Sequence, residues 1–392
     1  MKNKKQLVLI SLLRKIIEIF SSFFLNIYLF KLVNGDFNFI LLYATAHAVA
    51  GCVFGYFLMR YISPKNANFI FKSSYVCEII SILMLIIFKE NLLGVIWVFL
   101  LINRYAKSSY YAVYETTLIG SAKKDSISSY VAGVNILATI ISLIAPALMG
   151  FLITDYSYYI VMGLVLIDAI VSMFIATRTN FTVITSDFHL LKYWGKAIKN
   201  KNMRQSYLTT FLKRLSGPDG ILEYLIPILL FLALGTEFSA GSYDSLFSIG
   251  YIILLEVVRI ANKKSFKKRF YLPLALLCLA SAIVMVSNFN VSTILIFYFT
   301  IKTGGKLLQT ESASMIYAIG KKEKMTTYTR EHQFTWNIFL TLGNLVGILI
   351  AFLAYNYFYS KDVFAVIIVV LMAFFVLHAY LLQRLESGLK NK

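Results

Sequence analysis

The sequence predicts an all-α integral membrane protein with twelve transmembrane helices, arranged as two six-helix repeats around a central cavity. Of its 392 residues 59% are hydrophobic and only 15% are charged, whereas a soluble domain is about half apolar and about a quarter charged. The mean hydropathy is +0.72, and the apolar residues come in long runs of the length, about 20 residues, that a membrane helix needs. This composition excludes a soluble enzyme, a collagen-like rod and a disordered chain.

The apolar runs follow one another with short loops. The predicted spans 1 to 12 are 7–30, 38–58, 67–88, 92–117, 128–153, 157–176, 205–233, 243–261, 270–287, 291–318, 327–355 and 362–382. The basic and then apolar N-terminus resembles a signal peptide, but Arg14, Lys15 and Glu18 interrupt its apolar stretch. No small-residue cleavage site follows, so we interpret it as an uncleaved first span.

The net charge of +19 is distributed unevenly between the two sides of the predicted membrane. Twenty-five Lys and Arg residues fall at the two termini and in the loops of one side, and only Lys31, Lys89 and Lys361 fall in loops of the other. Because cationic loops are retained in the cytoplasm, both termini are predicted to be cytoplasmic. The excess charge reflects this topology and an attraction to anionic lipid, so nucleic acid is not expected as a partner.

The two halves of the sequence repeat each other. Residues 12–15 (LLRK) return as 211–214 (FLKR), and residues 102–107 (INRYAK) return as 301–306 (IKTGGK), both about 200 positions later. The order of these matches and their nearly constant offset indicate an internal duplication.

The repeat defines a domain organisation. We predict an N-terminal six-helix bundle at 1–176, a basic cytoplasmic linker at 177–204 and a C-terminal six-helix bundle at 205–392. Two parallel repeats of this kind enclose a central path and alternate access by rocking against each other.

Two short segments accompany this layout. Gly55 and Arg60 stand at the end of span 2 and the start of the following loop, and 145–150 (APALMG) lies near the end of span 5. The chain resembles the major facilitator superfamily in the layout of its spans, over nearly its whole length. In that family the loop after span 2 has the pattern G-x-x-x-D-R-x-G-R, and span 5 of exporters has the pattern G-P-x-x-G-G. Met59, Ile62 and Ser63 replace the Asp, Gly and second Arg of the loop pattern. The partial span 5 pattern slightly favours export.

Charged residues inside the spans identify the candidate site. An ionised side chain costs about 2.5–3.5 kcal/mol at a span centre, so such residues normally face a wet cavity or a partner. Arg14, Glu18, Ser22 and Asn26 recur every four residues and form one polar stripe. In the resembling family spans 1, 4, 7 and 10 line the cavity, and here they carry repeated basic residues. The candidate substrate-binding or gating residues are Arg14, Arg104, Lys107, Tyr111, Lys213, Lys302, Lys306 and Arg330.

Four of these cations are predicted to lie at a similar depth. From the helical rise, Arg14 and Lys213 lie about 12 Å from one end of their spans, and Lys107 and Lys306 lie about 22 Å from the other end of theirs. A ring of cations suits a carboxylate or a phosphate. The alternative is that they form structural pairs, such as Arg14 with Glu18, or a gate.

A break is predicted inside span 7, at residues 216–220 (SGPDG), because proline and glycine disfavour a continuous helix. We expect a hinge at Gly217, Pro218 and Gly220, with a later start of the span as the alternative. Pro146 and Gly150 of span 5 are also candidate hinge residues. Lys72 and Glu78 of span 3 are predicted to be peripheral, with Lys72 snorkelling to the interface.

A proton-coupled carrier needs a buried carboxylate that is reachable from both sides. Glu18 is the first candidate because it shares the stripe of span 1, and Asp219, Glu256 and Asp168 follow. Helix packing or gating is the alternative role for each.

Together these features predict a monomeric secondary active transporter in a bacterial plasma membrane. It would move a small organic solute, anionic or zwitterionic, coupled to protons. Cys52, Cys77 and Cys278 stand singly, and neither a metal motif nor an ATP-binding motif occurs, so no cofactor is expected. The main alternative is a membrane sensor or binding protein without net transport. An embedded enzyme is not expected, because the adjacent Glu331 and His332 point about 100° apart on a helix.

Overall fold

The computed structural model of the chain is all-helical in the part that it describes. It describes residues 2–120, 126–179, 181, 188–262, 270–322, 328–357 and 363–390. Lys361 of the predicted outer loops and residues 182–187 of the predicted linker lie outside these ranges.

The first six helices coincide with predicted spans 1 to 6. Helix α1 begins as Lys2–Ile19, makes a π-helical turn at Phe20–Phe24 and continues as Leu25–Leu32. The next five are α2 (Phe37–Tyr61), α3 (Ala67–Phe88), α4 (Ile96–Gly120), α5 (Ser126–Asp155) and α6 (Tyr158–Thr177).

The second half begins with a short helix, α7 (Leu190–Ala197), in the predicted linker. Predicted span 7 is divided into α8 (Lys201–Ser216) and α9 (Leu222–Leu234), with the predicted break between them. Spans 8 to 12 correspond to α10 (Glu237–Asn262), α11 (Tyr271–Ser287), α12 (Val291–Thr300, a π-helical turn at Ile301–Gly305, then Lys306–Lys322), α13 (Thr329–Tyr357) and α14 (Val363–Lys390).

Eight helical runs in the described residues are long and apolar enough to cross a membrane. One of them, Ala67–Tyr114, combines α3 and α4; as a straight helix it would be about 72 Å long, more than twice the hydrocarbon thickness. A 3₁₀ turn at Lys89–Val95, with a positive φ of 46° at Lys89, separates the two helices, which pack against each other. The chain is therefore a multi-pass membrane protein, and the crossing of all twelve spans stays a prediction.

The chain forms two compact units. In the first, α1 packs against α5 and α6, and α3 packs against α4 and α6. In the second, α8 packs against α12, α13 and α14, and α11 packs against α12 and α14. Large apolar side chains also remain exposed on the helices, among them Ile87, Ile167 and Phe174, as is required where helices contact lipid instead of water.

Two of the boundaries between the two units fall within α2 and α10, the helices of predicted spans 2 and 8. The first unit comprises Met1–Asp36, Ala46–Phe188 and Thr236–Ser245, and the second comprises Phe37–Thr45, His189–Gly235 and Leu246–Lys392. The start of α2 thus belongs to the second unit and the start of α10 to the first. The predicted division at 1–176 and 205–392 follows the sequence repeat and stays a prediction.

The start of α2 is held in the second unit by contacts with α13. The rings of Phe37 and Tyr355 are 5.1 Å apart. The side-chain amides of Asn38 and Asn356 bind each other, with the Asn356 Nδ2 donor 3.1 Å from Asn38 Oδ1.

Helix α7 is docked on α13 of the second unit, which the sequence did not predict. The Tyr193 hydroxyl contacts Tyr207 and lies 2.8 Å from Nδ1 of His332. Trp194 Nε1 donates to Thr335 Oγ1 at 2.8 Å. Leu191, on the other face of α7, is 81% exposed.

Candidate functional site

Two buried charges of the first unit form an ion pair between α1 and α3. Arg14 Nη1 donates to Glu78 Oε2 at 2.5 Å, and the side chains are 5% and 2% exposed. The Arg14 guanidinium also lies 5.0 Å from the ring centroid of Tyr110 on α4. Because removing an ion from water costs several kcal/mol, each charge requires the other. The prediction that Glu78 is peripheral is therefore wrong, since Glu78 is buried between α1 and α3.

Glu18 lies one turn after Arg14 and has a different set of partners. Its carboxylate is 3.9 Å from Arg14 Nε and 3.5 Å from Lys15 Nζ. It also accepts a hydrogen bond from the Tyr111 hydroxyl of α4, and Lys107 is close enough to interact with it electrostatically. With 21% of the Glu18 side chain exposed, this cluster reaches the surface of the unit. The structure thus brings four predicted site residues together.

The predicted polar stripe of span 1 runs through the π-helical turn of α1. Ser22 Oγ donates to the Glu18 carbonyl oxygen at 2.7 Å, and Asn26 Nδ2 donates to the Ser22 carbonyl oxygen at 2.8 Å. Turns of this kind occur frequently at functional sites. A second one, in α12, contains Lys302 and ends one residue before Lys306.

Asp168 of α6 lies beside the Arg14–Glu78 pair, together with Tyr75 of α3 and Ser172 one turn further along α6. All three side chains are buried. In the described part of the chain, Asp168 Oδ2 and the hydroxyls of Tyr75 and Ser172 lack a hydrogen bond of good geometry. This group of polar atoms is unusual, because buried polar groups are normally paired.

Arg104 of α4 packs its guanidinium against Gly51 of α2. A Cβ atom at Gly51 would overlap the guanidinium, so a larger residue there would require the Arg104 side chain to move. Sequence reasoning missed Gly51, because a glycine within an apolar span gives no signal of what approaches it.

Lys213 of α8 is the repeat counterpart of Arg14, and it too is buried. Its Nζ is 3.8 Å from Oδ2 of Asp219, which lies in the break between α8 and α9. The Lys213 side chain is 8% exposed, whereas that of Asp219 is 45% exposed. The next residue, Arg214, pairs with Glu223 of α9 at 3.6 Å. Lys213 is therefore a buried cation with a loosely held, accessible counter-ion.

The backbone of the break places Asp219 beside Lys213. Gly217 is extended, with φ −85° and ψ 167°, and its N–H donates to the Lys213 carbonyl oxygen at 2.8 Å. A Cβ atom at Gly217 would overlap that carbonyl group, and one at Gly220 would overlap the carbonyl group of Arg214. Pro218 lies between them. The predicted break is present, with helix on both sides of it, while its role as a hinge stays a prediction.

Two buried polar side chains near Lys213 were not predicted from the sequence. His378 of α14 is fully buried, and within the described chain neither of its ring nitrogens has a hydrogen-bond partner. It lies close enough to Lys213 for an electrostatic interaction. Gln309 Nε2 of α12 also lacks a partner among the described residues and lies 3.0 Å from the position that a Cβ atom of Gly217 would take.

The remaining predicted cations of the second unit lie in different surroundings. Lys302 Nζ is 5.9 Å from the ring centroid of Tyr298, and Lys306 Nζ is 4.9 Å from that of Tyr251. Arg330 is buried in α13.

Glu256, a predicted proton-coupling residue, is exposed on α10. Its solvent exposure distinguishes it from Asp168, which is buried among polar groups of the first unit.

Pro146 and Gly150 of α5 form the surface on which the first turns of α10 pack. A Cβ atom at Gly150 would lie 2.5 Å from the Glu237 carbonyl oxygen, and one at Gly241 would overlap the Pro146 carbonyl group. Glycine at these positions permits close backbone approach.

The buried Glu237 fixes the start of α10 by its side chain. Its Oε1 accepts hydrogen bonds from Lys31 Nζ at 2.8 Å and from the Tyr158 hydroxyl at 2.9 Å. The start of α10 is thus tied to both α1 and α6.

The sequence matches no protein family and no curated protein. Its structure is similar to that of the nucleoside transporter NupG, with a TM-score of 0.67 at 12% identity, covering 98% of this chain and 99% of that one. It is also similar to a bacterial homologue of the iron transporter ferroportin, with a TM-score of 0.64 at 14% identity and coverage of 99% and 100%. The chain has the fold of the major facilitator superfamily.

The major facilitator fold does not by itself select a solute. A further similar structure, with a TM-score of 0.63 at 13% identity, is a bacterial metal transporter, so proteins of this shape are named for nucleosides and for metals. Function must therefore be argued from the side chains of the site.

Proposed function

We propose that the chain is a secondary active transporter that moves a small organic anion by alternating access, driven by protons, in a bacterial plasma membrane. Export is the proposed direction, on the partial span 5 pattern alone. The fold supports transport, because the similar solved structures over nearly the full length are transporters.

The anionic character of the solute is supported by the state of Lys213. It is buried, and its one acidic partner within 4 Å in the described chain, Asp219, is half exposed at 3.8 Å. A solute carboxylate or phosphate that replaced Asp219 would gain a charge-assisted hydrogen bond from the buried Lys213 ammonium group. Arg14, by contrast, is held by Glu78 at 2.5 Å, so we assign it a structural or gating role.

This assignment is tested by solute flux into proteoliposomes under a pH gradient, with a panel of anionic, zwitterionic and cationic solutes. Lys213→Gln should weaken binding of the transported anion about 10-fold to 100-fold, the equivalent of a hydrogen bond to a charged group. Asp219→Asn should strengthen it, because the competing carboxylate loses its charge.

The opposite effects of the two substitutions distinguish a binding site from a structural pair, in which both substitutions would impair transport. Lys192→Gln, an exposed cation of α7, serves as the control and should leave flux unchanged. Flux of cations alone would exclude an anionic solute. Solute binding without any flux would favour a sensor on the transporter fold.

A further inference from the structure

Among the acids Glu18, Glu78 and Asp168 of the first unit, only Asp168 lacks a basic partner at ion-pair distance in the described part of the chain. Arg14 neutralises Glu78 at 2.5 Å. Glu18 has Lys15 at 3.5 Å and interacts with Lys107. In the described chain, no Lys or Arg nitrogen lies within 4 Å of the Asp168 carboxylate, although Asp168 is buried.

We propose that Asp168 is the residue that binds and releases the coupling proton, and that Arg14 responds to its charge. The proton would form an O–H bond at Oδ2, the oxygen that lacks a hydrogen-bond partner. The neutral acid could then donate to the hydroxyl oxygen of Tyr75 or Ser172, which lie beside it and are also without a well-formed bond. The coupling role rests on the proposed transport function, whereas the protonation itself does not.

The surroundings of Asp168 favour a proton over a metal ion. Asp168, Tyr75 and Ser172 supply four side-chain oxygens, fewer than the six to eight that hard cations such as Ca²⁺ take. The positive guanidinium of Arg14 also acts on this carboxyl group and would repel a second cation.

The ionisable groups that face Asp168 come from the helices packed against α6. They are Arg14 of α1, and Glu78 and Tyr75 of α3. Helix α5 also packs against α6, and over residues 137–155, where its side chains are described, its one ionisable residue is Asp155 at its end. Asp168 is therefore influenced by two opposite charges, those of Arg14 and Glu78.

Release of the proton would redistribute the contacts of Arg14. Its Nε lacks a hydrogen-bond partner in the described chain and lies 3.9 Å from Glu18. A negatively charged Asp168 would compete with Glu18 for this Nε–H. Glu18 would then interact with Lys15, Lys107 and Tyr111 alone. Release of a proton at Asp168 would in this way change the charge around Glu18, in the cluster that reaches the surface of the unit.

The test is infrared difference spectroscopy of the purified full-length protein in lipid nanodiscs, titrated from acid to alkaline pH. The wild type should show the carbonyl stretching band of a buried protonated carboxyl group, and the band should disappear on titration. Asp168→Asn, which keeps the size of the side chain, should lack this band. Tyr75→Phe should retain the band but move its frequency and its midpoint, because a hydrogen-bond partner is lost.

Asp155→Asn, an exposed acid at the end of α5, is the matched control and should leave the band unchanged. A band that persists in Asp168→Asn would overturn the proposal. So would suppression of the band by Na⁺ but not by choline at equal ionic strength, because it would indicate a metal site. The shift of the band in Tyr75→Phe tests the proposal even if the Asp168→Asn variant does not fold.

Transport measurements distinguish a failure of the coupling role of Asp168 from a failure of the proposed transport function. With any solute of the panel that moves, Asp168→Asn should retain solute exchange at equal pH and lose accumulation driven by the pH gradient. Retention of both would overturn the coupling role while leaving transport intact. If no solute moves in the wild type, the proposed function fails, and the infrared titration still decides whether Asp168 binds the proton.

Discussion

Arg14 and Glu78 are 64 positions apart in the chain and lie 2.5 Å apart, both buried, between α1 and α3. The repeat counterpart of Arg14, Lys213, is also buried but has a local and half-exposed partner, Asp219, at 3.8 Å. The two positions that the predicted repeat relates thus both carry a buried cation, and the two cations have different partners. Arg14 is paired with a buried carboxylate inside a helix bundle, whereas Lys213 is paired with a half-exposed one.

Removal of one member of the Arg14–Glu78 pair should destabilise the protein strongly. Glu78→Gln leaves Arg14 as an uncompensated buried charge, at a cost of about 3–5 kcal/mol. The apparent melting temperature, followed by the monodisperse fraction after heating in detergent, should fall. The double variant Arg14→Met with Glu78→Leu should recover most of the loss, since apolar residues of similar size can replace a buried pair. A double variant as unstable as Glu78→Gln would contradict this account.

Glu18 and Lys107 should be energetically coupled in transport. Their interaction joins α1 to α4, so the effects of Glu18→Gln and Lys107→Gln on kcat/KM should not add, with an interaction energy of about 0.5–3 kcal/mol. Flux measured for the wild type, both single variants and the double variant gives this energy. Strict additivity would show that the two residues act independently.

Gly150 should tolerate alanine poorly, unlike a glycine of the adjacent helix. Gly150→Ala brings a Cβ atom to 2.5 Å from the Glu237 carbonyl oxygen, and overpacking of this kind costs about 1–3 kcal/mol. Gly163→Ala of α6 meets no atom within 4 Å and should be neutral or stabilising by up to about 1 kcal/mol. Thermal unfolding of the two variants measures the difference, and equal melting temperatures would refute the close packing of α10 on α5.

The docking of α7 should depend on Thr335. Thr335→Val removes the acceptor of the Trp194 indole N–H, which lies 2.8 Å away, at a cost of about 0.5–1.5 kcal/mol. Limited trypsin digestion should then cleave faster at the lysines of α7. Leu191→Ala, on the exposed face of the same helix, is the control and should leave the cleavage rate unchanged. Equal rates in all three proteins would argue against this hydrogen bond.

The sequence by itself determined where the helices of the predicted spans lie and which residues carry charge inside them, but not the short helix α7. A run of about 20 apolar residues is a local property, so each predicted span coincides with helix, and the glycines and proline after Ser216 interrupt span 7 as their backbone chemistry requires. Helical spacing also placed Arg14 and Glu18 on one face, and these residues do form an i, i+4 pair.

Only the tertiary structure decided which charges meet. Glu78 is one acid within an apolar run, and its position in the sequence does not show that it meets Arg14 of α1. Likewise, the sequence does not show that His378 lies near Lys213 or that Gly51 lies against Arg104. These contacts arise from packing between helices far apart in the chain, which periodicity along one helix cannot specify. The docking of α7 and the assignment of the first turns of α2 and α10 to opposite units depend on the same long-range packing.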